Sequence, residues 1–384
     1  MTETLSNPDA AETQEAKIAA EEAARKTVKV LVWDLDNTLW DGTLLEGDDV
    51  KLRAGVEELL EILDRRGILH SVASRNDHDA AWAKLEELGV DHYFLYPQIH
   101  WGSKAGSVGK VAETINIGMD TVAFVDDQPF ERDEVADTHS EVRCYPPEAL
   151  AGLADDPDFQ PRFITDESAK RREMYQADAR RNEAESDYQG ASEEFLSGLD
   201  MKFVIHPPRD EDLKRAEELT MRTNQLNTTG YTYSFDELDA LRDDPDHLLL
   251  IAGLEDRYGT YGKIGLALVD KGGEAEGYWT LKLLLMSCRV MSRGVGTILM
   301  NHVMRLAKEE GMKLRAEFVS NGRNRMMRVT YRLGGFKEVE TDGDRSILEH
   351  ELVTIQDDPE YVDVRVKGLV KSLSEPINKS PSRV

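Results

Sequence analysis

The pattern of apolar and polar positions changes between the two halves of the chain. From Thr27 to Pro147, short apolar runs alternate with amphipathic segments. The runs are VKVLVWDL, LHSVAS, DTVAFVDD and VRCYP, and the segments are GVEELLEILDRRG, DAAWAKLEELG and KAGSVGKVAETI. Continuous apolar runs are typical of strands buried on both faces of a parallel sheet. The alternation predicts a doubly wound α/β domain over residues 27–150, with helices on both faces of its sheet.

A second unit is predicted over residues 198–355. Its strands, DMKFVIHPP, HLLLIAGLED, GKIGLALVD and EGYWTLKLLLMS, lead into the helix GVGTILMNHVMRLAKEEG, and the strands KLRAEFV, RVTYRLGGFKEV and RSILEHEL follow. Strands grouped around one long helix predict an α+β domain. Residues 151–197 are charged and predict a helical connector, residues 1–26 predict a disordered or helical tail, and residues 356–384 predict a C-terminal tail.

Composition narrows the class of protein. The formal charge is 47 − 74 = −27, which argues against nonspecific binding to nucleic acid or to an anionic membrane. No apolar run approaches the ~20 residues that cross a bilayer, and residues 1–26 lack the apolar core of a signal peptide. Only two cysteines occur, Cys144 and Cys288, so we expect a reducing, cytoplasmic environment.

Polar residues cluster at the carboxyl ends of the first three predicted strands and at the start of one helix. They are Asp34, Asp36, Ser74, Lys104, Asp126 and Asp127. In an open α/β sheet these positions meet at the ligand-binding edge. Crowded carboxylates repel one another, and Mg²⁺ relieves that repulsion because it prefers carboxylate oxygens. The sequence therefore predicts a Mg²⁺ site with Asp34, Asp36, Asp126 and Asp127 as ligands.

The same residues suit phosphoryl transfer. Asp34 is the candidate nucleophile. Asp36 is the candidate acid that protonates the leaving oxygen and the base that later activates water, while Ser74 and Lys104 would hold phosphate oxygens. The alternative for any single aspartate is a helix cap, which is common at strand ends.

The motifs DLDNTL, SRND, WGSK and FVDDQPFE closely resemble the four motifs of the haloacid dehalogenase (HAD) superfamily of phosphotransferases. The resemblance covers Val28 to Pro147 and implies a HAD-like sheet. Between Asp36 and Ser74 there is room for one helix but not for a lid domain, so we expect no large cap and a site open to a protein-linked substrate.

The second unit carries its own candidate site in LLLMSCRVMSRGVGTILM. The turn SRGVG would aim backbone N–H groups at an anion. It resembles the coenzyme A pyrophosphate loop of GNAT-type acetyltransferases and implies Arg293, Gly294 and Gly296 as ligand-binding residues. Met291 stands where that loop usually opens with Gln or Arg, so the phosphopantetheine arm of a carrier protein is an alternative ligand.

Cys288 precedes this turn, beside Arg289 and ahead of Arg293, and such a setting favours a reactive thiolate. The alternative is a small buried core cysteine. Asn224 lies in TNQLNTT, which either binds glycerate hydroxyls or the pantetheine arm, or forms a hydrogen-bonded turn. A row of arginines could dock an acidic carrier or form an ion-paired helix face; it comprises Arg171, Arg172, Arg180 and Arg181.

Taken together, the HAD motifs, RREMYQADARRNEAE, TMRTNQLNTTGYTYS and SCRVMSRGVG strongly resemble the FkbH-like proteins of polyketide pathways, over Thr27 to Leu352. Arg75 departs from the Lys expected in the second motif. The resemblance implies an enzyme that takes 1,3-bisphosphoglycerate, removes phosphate and loads the glyceryl group onto an acyl carrier protein, for methoxymalonyl extender units or tetronate rings. In it, Cys288 would hold the glyceryl group as a thioester.

Two other hypotheses stay open at this point. In the first of them, the protein is a Mg²⁺-dependent HAD phosphatase whose GNAT-like domain binds a carrier protein or coenzyme A without catalysis. Alternatively, its second domain serves only as a recruitment module. The three differ in whether Asp34 and Cys288 are both required.

Overall fold

The structure, a computed structural model, describes residues 26–223, 225–272 and 277–368. Residues 1–25 of the predicted N-terminal tail and residues 369–384 of the predicted C-terminal tail lie outside this range, as does Asn224. The chain forms two compact units, Met1–Gln176 and Ala177–Val384. Among the described helices, none combines the length and the apolar character needed to cross a bilayer.

The first unit is built on a parallel sheet. Its strands are β1 (Val30–Trp33), β2 (Trp40–Asp41), β3 (Lys51–Leu52), β4 (Leu69–Ser74), β5 (Gln98–Ile99), β6 (Val122–Val125) and β7 (Arg143–Tyr145). The sheet has the order β5-β4-β1-β6-β7, while β2 and β3 pair as a separate antiparallel ribbon. Val30 lies opposite both Leu69 and Val122, so β1 is the central strand.

Helices cover both faces of this sheet. They are α1 (Val56–Arg65), α2 (His78–Glu87), α3 (Lys104–Ile115), α4 (Pro129–Thr138), α5 (Leu150–Leu153) and α6 (Asp166–Ala169). Leu31 and Trp33 pack with α1 and α2 on one face, and Val30 and Val32 pack with α3 on the other. Because successive side chains of a strand point to opposite faces, β1 is apolar throughout.

The second unit combines helices with a larger sheet. Its helices are α7 (Arg171–Asp187, which begins in the first unit), α8 (Ser192–Ser197), α9 (Asp210–Arg222), α10 (Phe235–Asp243), α11 (Gly296–Glu309) and α12 (Arg325–Leu333). Its strands are β8 (Met201–His206), β9 (His247–Asp256), β10 (Gly259–Asp270), β11 (Tyr278–Met286), β12 (Lys313–Val319), β13 (Lys337–Asp342), β14 (Arg345–His350) and β15 (Val362–Val366). They form one sheet in the order β13-β14-β12-β11-β10-β9-β8-β15.

Two cores lie on opposite faces of this sheet, one with α11 and α12 and the other with α9 and α10. Strands β11 and β12 pair in parallel from Tyr278 to Leu281. Farther along, the segment Leu226–Thr228 bonds to both: Thr228 N donates to Leu284 O at 3.1 Å, and Val319 N donates to Thr228 O at 2.9 Å. The chain itself thus supplies the backbone partners of the two strands here.

The predicted architecture is confirmed: a doubly wound parallel sheet with helices on both faces and no large cap between β1 and β4, followed by an α+β unit. Two elements differ from the expectations. The first part of RVTYRLGGFKEV, expected as a strand from Arg328, instead belongs to helix α12 (Arg325–Leu333), in which Met327 and Tyr331, four residues apart, are both buried on one helical face. Within the predicted C-terminal tail, Val362–Val366 forms β15, parallel to β8.

Candidate functional sites

Asp34 lies at the carboxyl end of β1, where its backbone N–H donates to Val125 O at 3.0 Å. Lys104 Nζ lies 2.9 Å from Asp34 Oδ1 and 2.6 Å from Asp126 Oδ2. All three side chains are buried. Lys104 reaches the pair because α3 begins at this residue, after Ser103 accepts a capping hydrogen bond from Gly106 N.

Burial governs the ionisation of this cluster. It raises the pKa of Asp34 to about 6, against the opposing effect of the Lys104 ammonium. Burial likewise raises the pKa of Asp126 and of Asp127 above the usual range of a carboxyl. Although burial lowers the pKa of Lys104, the carboxylates of Asp34 and Asp126 outweigh it, and the net shift is upward. The ammonium of Lys104 therefore does not fully offset the cost of burying these negative charges.

The residues present fit a magnesium ion. Ligand oxygens of Asp34, Asp126 and Asp127 lie within 4.8 Å of one another. Asp127 Oδ1 is buried and has no hydrogen-bond partner within the described residues. Three carboxylates and the one ammonium of Lys104 give a formal −3 + 1 = −2. A hard divalent cation would cancel that charge and satisfy the unpartnered oxygen.

The structure does not bring the Asp36 carboxylate into this group of possible metal ligands. Both of its oxygens are occupied by donors. Oδ1 accepts from Trp40 Nε1 at 2.8 Å and from Leu44 N at 3.0 Å, and Oδ2 accepts from Asn76 Nδ2 at 3.0 Å. Asp36 is thus fixed in orientation, which suits proton transfer better than a side-chain bond to the metal.

Two neighbouring residues of the motif SRND, Ser74 and Arg75, make different contacts. Ser74, buried at the end of β4, lies within hydrogen-bond reach of Asp34. Arg75, which replaces the expected Lys, pairs with Glu131 at 2.8 Å and donates to Gly102 O at 3.1 Å. Its guanidinium therefore links helix α4 to the loop at Gly102.

Sequence reasoning missed three residues of this site. Asn76 and Trp40 orient Asp36, and Thr38 Oγ1 accepts a hydrogen bond from Asp127 N at 3.0 Å. The only sequence signal was their place within or just after the motifs DLDNTL and SRND.

In the second unit, β11 ends at Met286, and Ser287 separates it from Cys288. Cys288 is the first residue of a short 3₁₀ turn, Cys288–Arg293. Cys288 is exposed, so the alternative of a buried core cysteine does not apply to it. Cys144, in contrast, is half-buried, and burial raises the pKa of its thiol to about 11. The two thiols therefore differ sharply in accessibility.

The two arginines beside Cys288 are held by other parts of the second unit. Arg289 Nη2 donates to Tyr261 O at 2.8 Å, and Arg293 Nη2 donates to Glu185 Oε2 at 2.9 Å. Nε and Nη1 of Arg293 are buried and have no hydrogen-bond partner within the described residues. A buried guanidinium with unused N–H donors can bind an anion.

The glycine turn follows Arg293. Gly294 has φ +72°, a backbone conformation that favours glycine, and Gly296 opens α11. A methyl group added at Gly294 would lie 2.5 Å from the Tyr361 hydroxyl. The segment that leads into β15 therefore lies directly against the turn predicted to bind a pyrophosphate or pantetheine group.

Two further predictions concern polar and basic segments. Asn224 lies outside the described residues, and the rest of its motif is hydrogen-bonded, with Leu226–Thr228 bonded to β11 and β12. The arginine row is engaged: Arg172 pairs with Asp64 and Arg181 with Asp256, at 2.9 and 2.6 Å, while Arg171 and Arg180 donate to backbone carbonyls. This favours the ion-paired helix face over a docking surface.

The structure thus brings together Asp34, Ser74, Lys104, Asp126 and Asp127 in the first unit, and Cys288, Arg293, Gly294 and Gly296 in the second. The former set combines three carboxylates, a serine and one lysine ammonium, a composition that suits the binding of a divalent cation and a phosphate. The latter has an exposed thiol at the start of the turn that leads into helix α11.

Solved structures resemble parts of this chain. The N-terminal, phosphatase-domain part of a Bacteroides fragilis protein, solved with Mg, has 27% identity and a TM-score of 0.31, and it covers 37% of this chain. The match spans 41% of that protein, about two fifths of its length. No protein-family model matches the chain, and no curated protein matches its sequence.

Acetyltransferases also resemble part of this chain. The PaiA N-acetyltransferase of Thermoplasma acidophilum, solved with coenzyme A, has 19% identity and a TM-score of 0.29 over 38% of this chain and 97% of that one. Spermidine N-acetyltransferase from Vibrio cholerae, solved with coenzyme A and spermine, has 16% identity and a TM-score of 0.30 over 38% of this chain and 92% of that one.

Proposed function

We propose that the protein is an FkbH-like bifunctional enzyme of polyketide biosynthesis. It takes 1,3-bisphosphoglycerate, removes its phosphates and loads the glyceryl group onto the phosphopantetheine arm of an acyl carrier protein, for methoxymalonyl or tetronate synthesis. The observation that carries the proposal is the cluster of buried Asp34, Asp126 and Lys104 with half-buried Asp127, whose Oδ1 has no partner within the described residues.

The first unit would remove the phosphate ester. Asp34 attacks phosphorus, the bond from phosphorus to the glyceryl oxygen breaks, and Asp36 protonates that oxygen. Asp36 then takes a proton from water as the water oxygen attacks phosphorus, and the bond between phosphorus and the Asp34 oxygen breaks to release inorganic phosphate. Mg²⁺, held by Asp34, Asp126 and Asp127, would stabilise negative charge on the phosphoryl oxygens. Ser74 and Lys104 would bind those oxygens as well.

The second unit would transfer the acyl group. The Cys288 thiolate attacks the carbonyl carbon of the acyl phosphate, a carbon–sulfur bond forms, and the carbon–oxygen bond to phosphate breaks. The carrier's pantetheine thiolate then attacks the same carbon and displaces Cys288. Exposure of Cys288 supports this role because both reactants arrive from solution.

Overall, 1,3-bisphosphoglycerate, water and the carrier thiol yield the glyceryl thioester and two phosphates. The order of the two phosphate losses is set by neither unit alone. If dephosphorylation follows acyl transfer, its substrate is protein-linked. The small insertion between β1 and β4, with only β2, β3, one turn and α1, leaves the site without a large cap and supports such a substrate.

A second candidate is a Mg²⁺-dependent phosphatase whose GNAT-like unit does not catalyse transfer. One observation favours it: Tyr361 lies against Gly294, and Glu185 already holds Arg293. In this version Cys288 has no covalent role, and phosphate release requires Asp34 but not Cys288.

Intact-protein mass spectrometry tests the two versions. Wild type, Cys288→Ala and Asp34→Asn are incubated with Mg²⁺ and 1,3-bisphosphoglycerate generated in situ, with and without holo carrier protein. A glyceryl or phosphoglyceryl adduct that moves to the carrier, and is absent from Cys288→Ala, supports transfer through a thioester. Phosphate release that requires Asp34, without adduct or transfer, supports the phosphatase. Transfer by Cys288→Ala would remove the thioester step.

A further inference from the structure

Helix α12 has an apolar surface that no described residue covers. Met327 and Tyr331 pack into the core, but Met326, Val329 and Leu333 on the other side are 50%, 36% and 70% exposed. These three recur at intervals of three and four residues and therefore line one face of the helix. Exposed apolar residues gathered in this way are typical of a binding surface.

Basic residues lie on the same helix as this surface, whereas the next strand, β13, carries three carboxylates. From Asn321 to Lys337 the chain has five basic residues and no acidic one, in a protein of net charge −27. Arg328 and Arg332 share a single partner, Glu338, at 2.5 and 3.7 Å. Arg323 and Arg325 are exposed and make no ion pair within the described residues. Basic side chains and exposed apolar side chains thus lie on the same helix.

We define the α12 face as Arg323, Arg325, Met326, Val329, Arg332 and Leu333. Its helix is tied to the strand that precedes Cys288. The side-chain amide of Asn324, at the start of α12, donates to Val319 O at 2.8 Å and to Asn227 O at 3.0 Å. Leu226, in the same segment as Asn227, accepts from Met286 N at 2.9 Å.

We propose that the α12 face docks the carrier protein, through an acidic amphipathic helix that supplies apolar residues to Met326, Val329 and Leu333 and carboxylates to the arginines. The inference rests on the proposed transfer to a carrier. Complementary charge steers such an encounter and fixes its orientation. Because α12 is tied to the segment that bonds to β11, a partner docked there engages the part of the unit that carries Cys288.

An anionic membrane is the competing occupant of a basic amphipathic helix. Two features favour the protein. The α12 face has no aromatic side chain and no lysine, the residues that usually anchor such helices at a membrane. The rest of the chain is strongly acidic and would be repelled by anionic lipid.

The test measures binding apart from catalysis. A fluorescein-labelled holo acyl carrier protein of the fatty-acid-synthesis type is titrated with the full chain, with anisotropy as the readout. The variants are Arg325→Glu/Arg332→Glu, Leu333→Ser and the control Lys214→Glu. Lys214 is exposed on α9, which packs on the opposite face of the sheet. Melting curves and phosphate release verify that each variant is folded, and sedimentation with phosphatidylserine vesicles tests the membrane.

Three results would support the proposal. Wild type binds the carrier and added salt weakens that binding, while the control Lys214→Glu binds nearly as tightly as wild type. Arg325→Glu/Arg332→Glu binds at least about tenfold more weakly, because each charge reversal replaces an attraction by a repulsion. Leu333→Ser should also weaken binding, without changing its salt dependence. Equal binding by all variants, no binding by wild type, or binding to vesicles in place of the carrier would overturn the proposal. Binding without glyceryl transfer would retain the docking surface while rejecting the proposed enzyme activity.

Discussion

Asn76 Nδ2 donates a 3.0 Å hydrogen bond to Oδ2 of Asp36, across 40 residues of chain. Asn76 is buried and also accepts, through Oδ1, from Asp77 N, so its amide has one orientation. Trp40 Nε1 and Leu44 N hold the other oxygen of Asp36. A catalytic acid whose carboxylate is fixed by three donors is pre-organised for proton transfer.

Asn76→Ala should lower kcat for a phosphate ester by about 10- to 100-fold, because a misplaced acid loses that order of rate. KM should change little, since Asn76 is a positioning residue without predicted substrate contact. The first-turnover burst gives the sharper readout. Loss of the acid should slow the burst with an alkyl phosphate more than with p-nitrophenyl phosphate, whose leaving group needs less protonation.

The control for Asn76→Ala is Thr114→Ala, which removes an exposed hydroxyl that donates to Lys110 O. It should behave as wild type. An equal slowing of both substrates by Asn76→Ala would show that the amide supports the fold and not Asp36.

Asp127→Asn should reduce the stabilisation of the first unit by Mg²⁺ without destabilising the metal-free unit. In metal-free buffer, Asp127→Asn should leave the melting temperature of the first unit unchanged or raise it, because one of three crowded carboxylates is neutralised. Mg²⁺ at about 100 times its Kd should stabilise wild type by about 2.7 kcal/mol and the variant far less.

Calorimetric melts with and without Mg²⁺ measure this difference, and Mn²⁺ binding followed by electron paramagnetic resonance gives a readout independent of activity. Asp120→Asn provides the control, since that carboxylate pairs with Lys26 away from the cluster. A variant that binds Mn²⁺ as tightly as wild type would exclude Asp127 as a ligand.

The sequence predicted those elements whose signals are local. LHSVAS and KAGSVGKVAETI coincide with β4 and α3, since apolar periodicity and a capping serine act within a few residues. The convergence of Asp34, Lys104 and Asp126 followed from strand-end positions in a parallel sheet. The contacts of Asp36 with Asn76 and Trp40, and the pairing of β15 with β8, were not predictable, because they depend on which distant segments meet.

Arg181 should be a stability hot spot of the second unit. Its buried guanidinium forms a bidentate pair with Asp256, at 2.6 and 2.9 Å, and lies 3.9 Å from the centre of the Tyr261 ring. Arg181→Met should destabilise the unit by about 3–5 kcal/mol, because it removes the cation that pairs with the buried carboxylate of Asp256 and with Asp178. The double variant Arg181→Met/Asp256→Asn should recover much of this loss.

Urea denaturation of the single and double variants provides the measurement. Arg365→Met, which removes an exposed partner of Asp363, serves as the control and should cost less than about 1 kcal/mol. If the double variant is no more stable than Arg181→Met, the loss reflects packing of the arginine stem and not the unpaired charge.

Cys288 should react with iodoacetamide well before Cys144. Cys288 is exposed, whereas Cys144 is half-buried with a pKa of about 11, so its thiolate is scarce at pH 8. Peptide mapping after short exposure at pH 8 should find the label on Cys288. Cys144→Ser should be labelled as fast as wild type and Cys288→Ser much more slowly; the reverse order would contradict the assigned environments.

His70 should make the first unit less stable in mild acid. It is fully buried, accepts from Trp33 Nε1 through Nδ1 at 3.1 Å and lies 3.3 Å from Leu60 O through Nε2, so the neutral ring satisfies both contacts. Burial lowers its pKa from 6.5 to about 3, with a smaller effect in the same direction from the Arg172 cation. Between these values the unfolded chain binds a proton that the folded chain does not.

The contribution of His70 to stability is therefore complete above pH 6.5 and is lost as the pH falls towards 3, by about 1.4 kcal/mol per pH unit in that window. The raised pKa values of Asp34, Asp126 and Asp127 act in the opposite sense, so the informative quantity is a difference between variants. His70→Gln cannot titrate, and its amide oxygen can still accept from Trp33. Urea denaturation at pH 7, 6 and 5 should show wild type losing more stability than His70→Gln; parallel losses would mean that His70 is protonated in the folded unit.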